Sequence, residues 1–305
     1  MNAEALPAVG TPEMAVERPT RPFYWSVCRE LWDNRSIYIA PLIVAVVQVF
    51  GLAMSTIGIA ERRRAVLLLD PAKQRAPIEQ PYDIVAMMMI FTVFLVGVFY
   101  SLDALHGERR DRTILFWKSL PVSDVTSVLS KIFVPLVILP AIAFIITVVV
   151  QMIMLLMTTV NLLVHDVSPA TTWTRVPFFQ SWFVLLYGLA AIALWHAPIY
   201  GWLLMVSGWA RKATFLWAVI PPLALSAFER ITFGTSHVGA FVRYRLMGFA
   251  PNAFDFGDQK HPTVESLAQL TPFSYLATPG LWLGLVFAAA FVFVAIRVRR
   301  AQGPL

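Results

Sequence analysis

Apolar and polar positions along this chain fall in long blocks. Six apolar segments stand out: Ser36–Ala60, uncharged between Arg35 and Glu61; Ile84–Leu102, between Asp83 and Asp103; about Ile132–Leu163; about Phe179–Val206; Ala213–Phe228; and about Pro279–Ile296, followed by the basic Arg297, Arg299 and Arg300. A helix needs about 20 apolar residues to cross a bilayer, so the pattern predicts six crossings. The third segment is longer than one crossing. It must tilt, kink near Pro135 and Pro140, or project beyond the membrane. The fifth is short and carries Pro221-Pro222. Between the fifth and sixth lies Thr235–Thr278, whose apolar patches (Val238–Val242, Leu246–Phe249, Leu267–Leu270) are each too short to span. Short helices packed on the outer face, or re-entrant helices dipping partway into the membrane, are expected there. Irregular backbone at membrane depth must be buried in protein or line a cavity.

Ahead of the first crossing, Phe23–Asn34 mixes Phe23, Trp25, Val27, Leu31 and Trp32 with Arg29, Glu30 and Asp33. Val27 and Leu31 share a face at helical spacing, and aromatic residues at this density favour the headgroup level. An interfacial amphipathic helix over 23–35 is expected, with a simple extension of the first membrane helix as the alternative. Residues 1–22 hold four prolines and three glutamates without the apolar core of a signal peptide, and read as a disordered cytoplasmic tail. The fold class is therefore all-α and polytopic, with the membrane domain over 36–305.

Composition agrees. Charged residues make up 14% of the chain against roughly 25% in a soluble domain, and the mean hydropathy is +0.68. A single cysteine, Cys28, excludes a disulfide framework or a cysteine metal site. The net charge of +6 suggests nucleic acid only in a soluble protein; here basic residues set topology. With both termini inside, fourteen of the 24 basic residues lie on the cytoplasmic side, among them Arg109, Arg110, Arg112, Lys118 and Lys131. The cluster Arg62–Arg64 runs against this bias.

The most charged stretch is Asp103–Lys131, between the second and third segments. Gly107 permits a helix break. Glu108, Arg109, Arg110, Asp111 and Arg112 form a mixed-charge patch able to pair internally or with a partner. Thr113–Leu120 places Ile114, Trp117 and Leu120 on one side, with Leu115 and Phe116 nearby. So apolar a helix flanked by so much charge needs a cover, either a partner or the membrane surface. Pro121 stops it, and Ser123 or Asp124 can cap the next helix.

The run Tyr100–Lys131, with Glu108-Arg109, Thr113-Ile114, the Trp-Lys-Ser-Leu-Pro-Val-Ser-Asp of Trp117–Asp124, and Lys131, resembles the cytoplasmic loop of type-2 ABC transporter permeases. The likeness extends to the N-terminal interfacial helix, six crossings, a long loop before the last and cytoplasmic ends. It implies a membrane subunit of a bacterial exporter in the inner membrane. Such a subunit pairs with a second permease copy, identical or homologous, and with two copies of a separate ABC ATPase that binds ATP and Mg. No G-x-x-x-x-G-K-[ST] phosphate loop occurs in this chain. The resemblance makes the helix before Pro121 a coupling helix, with Glu108, Arg109, Arg110, Arg112, Ile114, Phe116, Trp117, Leu120 and Pro121 as the ATPase-coupling residues.

Elsewhere, His196 sits near Pro198 in the fourth segment and Glu229 ends the fifth. Intramembrane ionisable groups are functional candidates, so both are candidates for a translocation pathway, or for structural bonds at a kink and a helix end. A proton-coupled secondary transporter using His196 and Glu229 is a second reading, and an intramembrane enzyme a third. The five histidines show no metal-binding spacing, and no catalytic residue is assigned.

Overall fold

The computed structural model describes residues 21–70, 73–119, 122–257, 264 and 266–303. Its described residues are helical throughout, with one isolated bridge between Phe254 and Leu270 and no strand among them. In chain order the helices are α1 (Pro22–Asp33), α2 (Ser36–Ser55), α3 (Ile59–Leu67), α4 (Arg75–Asp103), α5 (His106–Arg110), α6 (Thr113–Ser119), α7 (Asp124–Phe133), α8 (Leu139–Val164), α9 (Ala170–Arg175), α10 (Phe178–Trp209), α11 (Thr214–Phe233), α12 (His237–Met247), α13 (Phe249–Ala253), α14 (Pro272–Ala277) and α15 (Pro279–Ala301). Six spans are long and apolar enough to cross a membrane, one for each expected segment. The chain is an all-α, multi-pass membrane protein.

The bundle core lies among α2, α4, α8 and α10, around Ile37, Met89, Val93, Leu139, Val150 and Leu155. Apolar contact alone discriminates poorly between lipid and protein, so side-chain amides fix the helix pairs. Gln48 donates to the Val85 carbonyl at 3.2 Å and Gln151 to the Tyr82 carbonyl at 3.0 Å. Gln151 in turn accepts from the Trp182 indole at 2.9 Å. The sixth crossing, α15, packs along α10, and Gly201 lets the two backbones meet. A Cβ there lies 3.2 Å from the Ala288 carbonyl oxygen.

Several boundaries differ from expectation, each for a local reason. The first segment does not run to Ala60: α2 ends at Ser55, and Gly58 turns the chain at φ 73° into the separate α3. In the second, the helix breaks at Ala104–Leu105, two residues before Gly107. There the Ser207 hydroxyl accepts the N–H groups of Leu105 and His106, at 3.0 and 2.9 Å, in place of helical carbonyls. The third begins at Asp124 and continues for 41 residues, about 60 Å of helix. Ser123 caps it, accepting from the Thr126 N–H at 3.1 Å. The kink expected at Pro135 is a π-helical turn over Val134–Ile138, which absorbs the proline without ending the helix. The fifth extends through Glu229 to Phe233 despite Pro221-Pro222.

α1 is a helix of its own and packs on α7, with Phe23 edge-on to Phe133 at 5.4 Å. Tyr24, Trp25 and Trp32 remain exposed on its far side. In the Thr235–Thr278 region α12, α13 and α14 fold inward and reach the middle of α10. Tyr275 donates to the Ala191 carbonyl at 2.7 Å, and the Trp195 indole to the Tyr244 carbonyl at 3.3 Å. These short helices are therefore packed on the bundle, as expected, through the middle of α10. Of the tail expected over 1–22, Pro22 already begins α1; residues 1–20, and Leu120 and Pro121 in the charged loop, lie outside the described residues.

Candidate functional site

Around α1 and the end of α15, five helices converge on one charged junction. The amphipathic pattern of α1 turns Glu30 toward α7, leaving it 1% exposed. The Lys131 ammonium lies 2.9 and 3.0 Å from its two carboxylate oxygens. Tyr100, in the last turn of α4, donates its hydroxyl to Glu30 at 2.8 Å. Glu108 of α5 faces Lys131 at 3.0 Å and Arg29 at 3.3 Å, and its second oxygen accepts from Arg299 of α15. Arg299 also donates to Asp124 at 3.0 Å. Glu30, Glu108 and Asp124 thus balance Arg29, Lys131 and Arg299. Burial opposes the charge of Arg29, yet Glu30 and Glu108 outweigh it and hold its pKa above the ordinary arginine value. Charges this far from water persist only when paired and hydrogen-bonded.

This junction carries the charged loop. Arg109 points inward, donating to the Gly208 carbonyl at 2.6 Å and closing the C-terminus of α10, where a cation is favoured. His106 meets the Ala210 carbonyl at 3.2 Å. Arg110 is exposed and pairs with Asp103 and Asp111 at 3.4 and 3.0 Å. Arg112 is exposed and adopts φ 59°, a left-handed turn that separates α5 from α6. Along α6, Ile114 is buried at 1% exposure, and the Arg29 guanidinium stacks over the Trp117 ring at 4.1 Å. The chain itself therefore covers the Ile114–Trp117 side, and Leu115 and Phe116, each 58% exposed, form the open face.

The two membrane candidates also have partners. Glu229 accepts from the backbone N–H groups of His237 and Val238 and from the Thr235 hydroxyl, all at 2.7 Å. It caps the N-terminus of α12. His196, 4% exposed, bonds through Nε2 to the Leu246 carbonyl at 3.1 Å. Glu229 and His196 therefore hold the two ends of the same helix, α12. Arg245, between them, is buried and donates to the Gly280 carbonyl. Burial pulls its pKa below the ordinary arginine value. Gly284 leaves the space for its guanidinium. Among the described residues no group of three or more His, Cys, Asp or Glu converges to hold a metal.

Sequence reasoning missed most of the junction. Glu30 reads as part of an amphipathic surface and Arg299 as a topology signal, and Ser207 lies just past the expected end of the fourth apolar segment. Glu30 is paired across 101 positions and Arg299 across 191. One signal was available: an acid inside a short aromatic helix costs burial unless a base comes to it.

No family model matches this sequence, and no curated protein matches it.

Proposed function

We propose that this chain is the membrane subunit of an ATP-driven exporter in a bacterial inner membrane, powered by a separate ABC ATPase that docks on α6. The observation that carries the reading is the Leu115–Phe116 face. It is apolar and exposed, it lies outside the membrane-spanning helices, and it is held on a neutral junction joined to α1, α4, α7 and α15. Force applied at α6 is delivered to α1, α7 and α15 through buried ion pairs and to α4 through the Tyr100 hydroxyl. Glu108, Arg109 and Ile114 fix α6 from behind, and Phe116 with the exposed Arg110 and Arg112 meets the partner. The ATPase brings ATP and Mg; a second permease copy completes the pathway. Both termini are cytoplasmic in this arrangement.

The test is co-purification of the tagged chain with its ATPase, followed by ATPase and export measurements. Leu115→Asp with Phe116→Asp is expected to abolish association and stimulation, leaving membrane insertion and monodisperse elution unchanged. Retained coupling in that variant overturns the docking site. Transport by the purified chain alone, driven by a pH gradient without ATP, overturns the whole reading.

A further inference from the structure

Where α11 leaves α10, a laterally open cleft of 380 Å³ lies between α10, α11 and α15, walled by Trp202, Trp209, Trp217, Pro221, Val294 and Val298. Its volume falls within the 300–1,000 Å³ of ligand sites. Its depth is set by local structure. Ala213 adopts φ 50°, a conformation that costs a non-glycine residue energy, and this throws α11 outward. The Trp202 indole, donating to the Ala218 carbonyl at 3.1 Å, holds the base of α11 at that separation. Val206, which lines the cleft, belongs to a buried apolar cluster with Ala210 and Ala218. Trp209 and Trp217 meet edge-to-face at 4.9 Å with about half of each exposed.

Beyond this apolar wall the chain turns basic. Arg211 and Lys212 follow Trp209 in the α10–α11 turn, and Arg297 and Arg300 flank Val298 within one turn of α15. All four are exposed, and none pairs with an acid among the described residues. Neither 167–228 nor 266–305 contains a single Asp or Glu. An apolar slot at membrane depth, ending in cations that the chain leaves unneutralised, is complementary to an amphiphile with an acyl chain and a negative headgroup.

We propose that this cleft binds an anionic phospholipid. One acyl chain lies against Trp209, Trp217 and Val294, and the phosphate meets Arg211 and Lys212, as in other basic pockets between membrane helices. The inference is independent of the ATPase reading. Nonetheless, the same turn is gripped from behind by Arg109 and His106, at Gly208 and Ala210.

The full chain, reconstituted in phosphatidylcholine vesicles, can be titrated with brominated phosphatidylglycerol or brominated phosphatidylcholine while tryptophan fluorescence is followed. The Trp209/Trp217 contribution is the difference between the natural chain and the W209F/W217F variant. This part should be quenched by the anionic lipid at a mole fraction roughly 25-fold below that needed with the neutral lipid, since each of the two cations contributes roughly fivefold. In R211Q/K212Q the preference should vanish while neutral-lipid quenching and the helical circular dichroism persist. Equal quenching by both lipids in the natural chain means ordinary boundary lipid and overturns the proposal. Absence of quenching at these two tryptophans, with other tryptophans quenched, means that a second copy or the chain itself fills the cleft, and overturns it equally.

Discussion

Glu108 shows how one side chain can serve three helices at once, since Lys131, Arg29 and Arg299 all converge on its two oxygens. Removing its charge while keeping its shape is informative. Glu108→Gln leaves Lys131 with Glu30 and Arg299 with Asp124, but the junction then carries an excess positive charge away from water. Breaking one member of a buried ionic group costs about 3–5 kcal/mol, so the solubilised chain should melt several degrees lower. Glu108→Gln combined with Arg299→Gln restores neutrality, and its loss should fall short of the two single losses added together. Thermal unfolding of the three variants, followed by circular dichroism, decides the matter. Additive losses mean that the two groups are not coupled. The same residues show what a single sequence conceals: Lys131 and Glu108 stood in one visibly charged loop, whereas Glu30 and Arg299 came from segments read as surface and as topology signal. Ion pairs between distant positions leave no local pattern.

At the scale of elements, the apolar blocks made the six crossings legible, because a bilayer demands length and hydrophobicity that few other structures need. Their ends were less so, being set by tertiary acceptors such as Ser207 for α4 and by a π-helical turn for the third span. The Thr235–Thr278 region is legible as short helices, on the outer face or re-entrant; their packing partners are not, because those depend on where the middle of α10 offers acceptors. Helix α12 is held at one end by Glu229 and at the other by His196. A carboxylate accepting backbone N–H groups is a strong cap, because hydrogen bonds to a charged acceptor are stronger than neutral ones. Glu229→Gln keeps an acceptor and loses the charge. Amide exchange over 237–241 should then accelerate on the order of tenfold or more, with the amides of α10 and α15 unaffected. Unchanged protection in α12 sinks this assignment of Glu229; acceleration spread equally over the bundle points to global destabilisation instead.

For the whole molecule the remaining question is direction. The cluster Arg62–Arg64 runs against inward termini, yet two of its members, Arg62 and Arg64, are engaged at helix ends. Arg62 donates to the Ser55 and Ile57 carbonyls past α2, and Arg64 donates to the His165 carbonyl past α8 at 2.9 Å. Cations at helix C-termini are favoured by the helix dipole. These arginines therefore have a structural reason to be on the far side, and the positive-inside bias of the rest carries more weight. Cys28 is the sole cysteine, so Cys28→Ser gives a silent background for three exposed probes: Ser119→Cys at the end of α6, Ser168→Cys after α8, and Gly303→Cys after α15. One span separates 119 from 168 and three separate 168 from 303, so the first and third probes must share a side and the second must lie opposite. A membrane-impermeant maleimide applied to intact cells should label only Ser168→Cys, and all three after permeabilisation. If 119 and 303 label in intact cells and 168 does not, the six spans stand and the orientation is reversed. That result also removes α6 from the cytoplasm, where ATP is, and with it the proposed docking of an ATPase. If 119 and 303 fall on different sides, the count of crossings itself is wrong.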